Sequence, residues 1–429
     1  MVATTIKIKK YRGQENALSH FKSLLRLPCL FSFHTIFRIA CILLVFAPAI
    51  ALAQNVKLNK GKPVERKYLA EVPYEDLKGK IVIPVEIQGN TYRFLFDTGA
   101  PNLITHALSQ QIDSKEINSI FVRDANGNRQ KMEVVTISLI GIGGVQFENT
   151  PTIVNNEDSS FILDCFGVDG IIGSNMVRKS VIQLDSENSV FRISNSPEHF
   201  VGSELEGIKM ALSDAQSSPY IWIRLKGGGK ASEYVLFDTG MQGFYDMSVK
   251  NYSELRALDV FDESMSGVGI KSIGLFDSSK ANQHYRISIP SIEIGDFNFN
   301  NVPTVTMDAE RSRIGSDILK YGKVSLDFRN SKFYFEPYED NPDLHESQLG
   351  FSPTVKNNEL VVGIVWDSEL SRSIDYGDKI LIVNGLNVSS MDPCEFFNKP
   401  SPFESDTEFR ILFEDAETHQ KIELELIKE

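Results

Sequence analysis

The sequence is poor in the residues that metal, thiol and phosphate sites require. Its 429 residues include four cysteines and seven histidines, with no HExxH pair and no cysteine spacing typical of zinc. We therefore expect no metal and no cofactor. No G-x-S-x-G motif is present, and no GK[ST] follows the triple glycine at 227–229, which argues against a serine hydrolase and a P-loop.

Acidic residues are scarce in the first 53 positions, the leader. This leader carries seven Lys and Arg against one acid, and it ends in the apolar run Ile39–Ala53, which closes with Ala-Leu-Ala. The pattern predicts a signal peptide over 1–53, cleaved near Ala53, and hence a periplasmic or secreted protein. The alternative is an uncleaved anchor, although the run is shorter than the ~20 residues that span a bilayer and contains Pro48.

The chain without its leader is strongly acidic. It keeps 37 of the 44 basic residues and 56 of the 57 acidic ones, a net charge of −19. This charge argues against nucleic acid or an anionic membrane surface as a partner. Two cysteines remain, Cys165 and Cys394, and because they fall in different predicted domains we do not expect them to form a disulfide.

An internal repeat organises most of the chain. Asp97-Thr98-Gly99 recurs as Asp238-Thr239-Gly240, IIGSNMV (171–177) as RIGSDIL (313–319), and QLDSENSVF (183–191) as SLDFRNSKF (325–333), at separations of 141 or 142 residues. FENTPTI and FNNVPTV lie 152 apart, so the first copy has about ten extra residues near 155–169. We predict two copies of one β-rich unit, a first copy at 54–200 and a second copy at 201–340.

The repeated aspartates suggest a shared site. Each follows an apolar, strand-like run, and the glycine two residues later allows a sharp turn that projects the carboxylate. A twofold relation between the copies would bring Asp97 and Asp238 together. Two neighbouring carboxylates cannot both ionise easily, so one keeps a proton while the other can take one from water. The pattern predicts hydrolysis by a carboxylate dyad.

These motifs resemble those of pepsin-like and retropepsin-like aspartic peptidases over residues 65–337. The resemblance implies an all-β, two-lobed fold and peptide-bond hydrolysis with neither a metal nor a covalent intermediate. It also implies a hairpin flap over the substrate, which by position is 122–130, with Asp124, Asn126 and Gly127 facing the substrate. The residues that it implies support the dyad are Thr98, Gly99, Ile172, Gly173, Thr239, Gly240, Ile314 and Gly315.

Three positions depart from the family pattern. Ala100 and Met241 replace the hydroxyl residue that pepsin-like enzymes usually carry after the glycine, and Arg313 stands where an apolar residue is expected. We expect the lost hydroxyls to favour the protonated dyad. The alternative is that Asp238 is a relic and that the chain is a non-catalytic peptide-binding or scaffold protein.

Residues 345–429, the C-terminal segment, resemble a small α+β PDZ domain. Gln348-Leu349-Gly350-Phe351 matches the loop that receives a peptide carboxylate in that family, so Leu349, Gly350 and Phe351 are its predicted site. DYGDKILIVNG (375–385) matches the turn and strand that follow. The alternative is a structural cap without a ligand. The predicted partners are polypeptide substrates and a C-terminal peptide, and because one chain holds both copies we expect a monomer.

Overall fold

In the computed structural model, the described residues are 56–156, 161–213, 215–271, 274–276 and 279–429. The chain divides after Gln54, and residues 55–429 form one compact unit. The predicted signal peptide over 1–53 lies outside the described residues. Within them, no helix has the length and apolar character needed to cross a membrane.

The fold is all-β, as the sequence predicts, with a few short helices. The strands, in chain order, are β1 Lys62–Pro63, β2 Leu69–Pro73, β3 Glu75–Leu77, β4 Lys80–Ile87, β5 Asn90–Asp97, β6 Leu103–Ile104, β7 Ser114–Arg123, β8 Arg129–Ile142, β9 Val145–Val154, β10 Gly170–Gly173, β11 Val181–Asp185, β12 Val190–Ser194, β13 Ile208–Leu212, β14 Pro219–Lys226, β15 Lys230–Phe237, β16 Tyr245–Asp246, β17 Asp262–Gly269, β18 Asn282–Ile294, β19 Phe297–Val305, β20 Arg313–Ile314, β21 Gly322–Asp327, β22 Lys332–Pro337, β23 Phe351–Lys356, β24 Glu359–Val365, β25 Lys379–Val383, β26 Leu386–Asn387, β27 Glu408–Glu414 and β28 Lys421–Ile427. The α-helices are α1 His106–Ser109, α2 Phe161–Phe166, α3 Ser174–Val177, α4 Val249–Leu255 and α5 Pro393–Asn398. Short 3₁₀ helices cover Pro197–His199, Arg256–Leu258, Ser316–Lys320 and Leu370–Arg372.

A six-stranded sheet joins the two copies in the order β2-β12-β11-β21-β22-β13. At its centre Gln183 pairs with Ser325, which is the residue 142 positions later that the repeat makes its equivalent. On either side, Ile182 pairs with Leu326 and Leu184 with Val324. Gln183 thus pairs with its own equivalent in the other copy, and the pairs on either side exchange equivalent positions. This pattern places a twofold axis through the Gln183–Ser325 pair. The predicted twofold relation between the copies is therefore present in the strand register.

The hydrophobic core has one cluster that the two copies share and a separate cluster in the C-terminal segment. One large cluster runs through both copies and is filled by buried aromatic residues. Two equivalent ring contacts in this cluster are edge-to-face, Phe96 against Phe191 in the first copy and Phe237 against Phe333 in the second. The C-terminal segment has its own cluster, in which Phe351 contacts Phe413. The predicted domain boundaries at 200, 340 and 345 stay predictions.

A disulfide ties the first copy to the C-terminal segment. Cys165 in α2 is bonded to Cys394 in α5, with the two Cα atoms 4.7 Å apart. The expectation that these cysteines stay unpaired is wrong. Helix α2 lies in the extra residues of the first copy and packs on α5, where the Phe161 and Phe397 rings meet edge-to-face. The repeat indicates how long this insertion is, but not which surface it contacts.

The C-terminal segment also contacts the second copy. Gly269 of β17 pairs with Ile364 of β24. Arg286 of β18 donates from Nη1 to the carbonyl oxygen of Leu349 at 2.9 Å, and its guanidinium lies 4.7 Å from the centre of the Trp366 ring. The segment is therefore attached to both copies.

The disulfide predicts a measurable loss of stability. Replacing both Cys165 and Cys394 by Ser should lower the free energy of unfolding by about 2–4 kcal/mol, because a cross-link over a long loop restricts the unfolded chain. Denaturant unfolding measures this loss. Reductant should shift the wild-type midpoint in the same direction and leave the double variant unchanged. Equal midpoints for the oxidised wild type and the double variant would contradict the prediction.

Candidate active site

The two Asp-Thr-Gly turns are built in the same way. Asp97 ends β5 and Asp238 follows β15, and each strand pairs in parallel with the short strand predicted to support it. In these ladders Ile172 lies opposite Phe96, and Ile314 lies opposite Phe237. Both isoleucines are fully buried. The predicted supporting strands thus lie directly beside the turns.

Close packing explains the glycines that end these supporting strands. A side chain at Gly173 would overlap the carbonyl oxygen of Ala100, and one at Gly315 would overlap that of Gly243. The amide of Gly173 also donates to Oδ1 of Asn102 at 2.7 Å. Each turn therefore packs so closely on its supporting strand that only glycine, which has no side chain, fits at this position.

The two turns interlock through their threonines. Oγ1 of Thr98 donates to the carbonyl oxygen of Phe237 at 2.6 Å and accepts from the amide of Thr239 at 3.0 Å. In the mirror arrangement, Oγ1 of Thr239 donates to the carbonyl oxygen of Phe96 at 2.8 Å and accepts from the amide of Thr98 at 3.1 Å. Both threonines are buried, so four hydrogen bonds fix the separation of the turns.

This interlock brings the two carboxylates together. A side chain at Gly99 would overlap the carboxylate of Asp238, and one at Gly240 would overlap that of Asp97. Each acid therefore lies against the glycine of the opposite turn. The structure brings the eight predicted supporting residues and the two acids into one site.

The two acids differ in their surroundings. Oδ1 of Asp97 accepts from the amides of Gly99 at 2.8 Å and Ala100 at 3.1 Å, whereas Oδ1 of Asp238 accepts from the amide of Gly240 at 3.1 Å. Burial, reinforced by the negative charge of Asp238, raises the pKa of Asp97 to about 7. Asp97 is accordingly the acid that holds a proton below neutral pH.

Lys80 is a member of the site that sequence reasoning missed. Its ammonium donates to the carbonyl oxygen of Gly240, and its charge opposes the rise in the pKa of Asp97. Burial lowers the pKa of Lys80 itself. The signal was available in the β4–β5 hairpin, because its register, continued from Val82 opposite Leu95, puts Lys80 opposite Asp97.

Arg313 also reaches the dyad. Its Nη1 lies 3.3 Å from Oδ2 of Asp238, and the arginine side chain is only 14% exposed. The sequence marks this position as a departure from an apolar pattern, but it does not indicate where the side chain points. In the structure the departure supplies a cation to the second carboxylate.

The predicted flap is the β7–β8 hairpin, with its turn at 124–128. Oδ1 of Asp124 closes the turn by accepting from the amides of Asn126 at 3.0 Å and Asn128 at 2.8 Å. Asp124 lines a cavity of about 640 Å³ that also contains both acids. Gly127 instead lines an adjoining cavity of about 530 Å³, and Asn126 lines neither of the two.

A short piece of the second copy meets the flap, which the sequence did not predict. The amide of Phe276 donates to Oδ2 of Asp124 at 3.2 Å, and Leu275 lines the cavity above the acids. Both side chains pack on an apolar cluster of the first copy. Residues of both copies therefore line the cavity.

The predicted carboxylate loop of the C-terminal segment lies outside this site. Leu349 and Phe351 are buried in the core of the segment. The carbonyl oxygen of Gly350 accepts from the amides of Trp366 at 2.8 Å and Asp367 at 3.0 Å. Gly350 lines a separate cavity of about 460 Å³ between the segment and the second copy.

Comparison with known proteins bears on the first copy. Residues 83–176 match a model of the aspartyl protease family. The matched region contains Asp97, the flap hairpin and Ile172-Gly173, and it ends before Asp238. No curated protein matches the chain. In the part of the chain that the structure describes, no three His, Cys, Asp or Glu residues are grouped as metal ligands.

The threonine interlock predicts a stability cost. Thr98→Val leaves the buried carbonyl of Phe237 and the buried amide of Thr239 without their partner, so the free energy of unfolding should fall by about 2–5 kcal/mol. Denaturant unfolding measures the change. Thr98→Ser keeps the hydroxyl and should recover most of it. Thr91→Val, at an exposed position of the same strand, is the control. A loss no larger than that of Thr91→Val would refute the prediction.

The raised pKa of Asp97 predicts a pH-dependent stability. The folded state favours the protonated acid. The contribution of Asp97 to the free energy of unfolding is therefore fully present below about pH 4 and is lost as pH rises through about 7. Asp97→Asn should remove this part of the dependence, a difference of about 2–4 kcal/mol between the two pH limits. Urea unfolding over this range tests it, with the exposed Asp113→Asn as control. An Asp97→Asn variant with the wild-type pH dependence would rule it out.

Proposed function

We propose that this protein is an aspartic endopeptidase in which Asp97 and Asp238 act on one water molecule. The proposal is carried by one observation: two interlocked turns hold the acids against each other on the wall of a cavity that a hairpin covers. The family match over residues 83–176 supports protease activity.

The different surroundings of the acids assign them different roles. Asp238, paired with the cation of Arg313, is the ionised member and takes a proton from water as the water oxygen attacks the peptide carbonyl carbon. Asp97, with its raised pKa, donates its proton to the carbonyl oxygen. In the tetrahedral intermediate that results, Asp238 returns its proton to the leaving nitrogen and the C–N bond breaks. As that bond breaks, a hydroxyl of the intermediate gives its proton to Asp97 and becomes the carbonyl of the new carboxylic acid, so each acid ends the cycle in the state in which it began.

The wider proposal covers the whole chain. The twofold strand register supports a two-lobed, pepsin-like arrangement of the copies. The disulfide supports the predicted periplasmic or secreted location, since such bonds persist in oxidising compartments. We further propose that the C-terminal segment is a PDZ-like domain that positions substrates through the backbone amides of Leu349, Gly350 and Phe351. Its attachment to both copies fits the alternative role of a structural cap.

One observation favours a second function. The ion pair between Arg313 and Asp238 occupies a carboxylate oxygen that the dyad chemistry uses. A binding protein with no need for catalysis would tolerate such a pair. The second candidate is therefore a non-catalytic peptide-binding protein that uses the same cavity.

Mutation of each acid separates the two functions. Asp97→Asn and Asp238→Asn should each reduce cleavage of an unfolded protein by at least about 10²- to 10⁴-fold, because each removes one half of the proton transfer. The double variant should be no worse than either single variant, since the acids act as a unit. Gel or mass-spectrometric detection of fragments measures the rates, with Asp113→Asn as the charge-matched control.

Two outcomes would overturn the proposal. Persistent cleavage by Asp238→Asn would make the second motif dispensable, and an inactive wild type that still binds peptides would establish the binding function instead. Mixing the two single variants should restore nothing, because each chain supplies both acids. Restored cleavage would require a site built between chains, contrary to the expected monomer.

A further inference from the structure

The twofold axis relates pairs of residues on opposite sides of the dyad. In the first copy Ile171 lies opposite Leu95, and in the second copy Arg313 lies opposite Leu236. The repeat makes Leu95 equivalent to Leu236, and Ile171 equivalent to Arg313. All four line the cavity above the acids. Leu95 and Leu236 are therefore the same residue on both sides of the axis, whereas the apolar Ile171 of the first copy is replaced by the cation Arg313 in the second.

The first-copy side of the cavity is apolar. Ile171 shares it with Leu103, Ile120, Val122, Leu163 and Phe166. These side chains belong to one packed cluster of the first copy, drawn from the flap, α2 and β6. This side suits a large apolar side chain.

The side of the cavity that borders the second copy carries positive charge. Arg313 belongs to that copy, Lys80 of the first copy donates to the carbonyl oxygen of Gly240, and Arg123 of the flap hairpin lines the adjoining cavity together with Arg313. Apart from the two dyad acids, the charged residues that line this cavity in the described part of the chain are Lys80, Arg123, Arg313 and Asp124. The carboxylate of Asp124 already accepts hydrogen bonds from the flap turn and from Phe276. Apart from the dyad, the cavity is therefore lined by three cations and one acid, and the carboxylate of that acid already bonds the flap turn and Phe276.

We propose that the two sides are subsites of opposite chemistry and that the enzyme prefers to cleave between a large apolar residue and an Asp or Glu. This inference rests on the proposed peptidase function, and it names its substrate class. Since the axis passes between the two acids, the residues that flank the scissile bond fall on opposite sides of it. One side chain then meets the Ile171 cluster and the other meets Arg313.

Arg313 can serve both the dyad and the substrate. A guanidinium has five N–H donors in one plane, and the described residues accept one hydrogen bond from it, at Asp238. Arg313 lines both the cavity above the acids and the adjoining one, so it stands where the two meet. Its remaining donors are available to a carboxylate that enters from the second-copy side.

Paired peptides test the preference. Each peptide should contain one cleavable bond. In three peptides this bond joins Leu to Glu, Gln or Lys, and in three others the same two residues stand in reverse order. For the wild type, kcat/KM should be at least about tenfold higher for Glu than for the isosteric Gln in one of the two orders, as expected for a charge-assisted contact. Lys should be the poorest of the three.

Variants of Arg313 then assign the preference to this residue. Arg313→Met should bring the ratio of Glu to Gln rates close to one. Arg129→Met is the control, because the Arg129 guanidinium lies over the Phe121 ring of the β7–β8 hairpin and lines neither cavity. The ratio for this variant should stay at the wild-type value. A wild type that cleaves Glu and Gln peptides equally, or an Arg313→Met variant that keeps the preference, would overturn the inference while leaving the peptidase function intact.

A binding measurement keeps the two proposals distinguishable. If the wild type cleaves none of the peptides, the peptidase function fails, and the affinities of the Leu-Glu and Leu-Gln peptides, in both orders, for Asp97→Asn decide the subsite chemistry. If Asp97→Asn binds a Glu peptide more tightly than the matching Gln peptide, and the double variant Asp97→Asn, Arg313→Met does not, the result supports a cationic subsite. Equal affinities reject it.

Discussion

The four hydrogen bonds made by the hydroxyl groups of Thr98 and Thr239 are the constraint on which the site depends. Each threonine is buried and bonds backbone groups of the opposite copy, so neither turn can move without breaking bonds that water cannot replace. The strand pair centred on Gln183 and Ser325 lies on the same twofold axis. Two independent contacts thus fix the axis, and the positions of both carboxylates follow from it.

The symmetry of the backbone makes the asymmetry of the charges informative. Equivalent acids on an exact twofold would be indistinguishable, and neither would have a defined role. Here Lys80 and Arg313 have no charged equivalent across the axis, since the hairpin registers match Lys80 to Ser218 and the repeat matches Arg313 to Ile171. Arg313 contacts Asp238, while burial raises the pKa of Asp97. The cation of Arg313 therefore helps to distinguish two acids that the fold itself makes alike.

Sequence reasoning reached the features that repeat along the chain. The all-β class, the twofold relation and the meeting of Asp97 with Asp238 all follow from matched motifs, because a repeat in sequence is copied as a repeat in space. It missed what is particular to one copy or joins distant segments. The disulfide depends on how α2 packs on α5, and the contact of Phe276 with Asp124 depends on a loop that crosses between copies. Lys80 was recoverable from hairpin register, whereas the direction of the Arg313 side chain was not.

The disulfide changes what a break in the backbone would do to the molecule. Cys165 and Cys394 are 229 residues apart, and they close a covalent ring that contains the entire second copy, including Asp238. Asp97 lies on the tail that precedes the ring. One cut anywhere between the two cysteines opens the ring without dividing the chain, because the sulfur link still joins both pieces. A proteolytic nick in this region therefore leaves both acids in one covalent molecule until the bond is reduced.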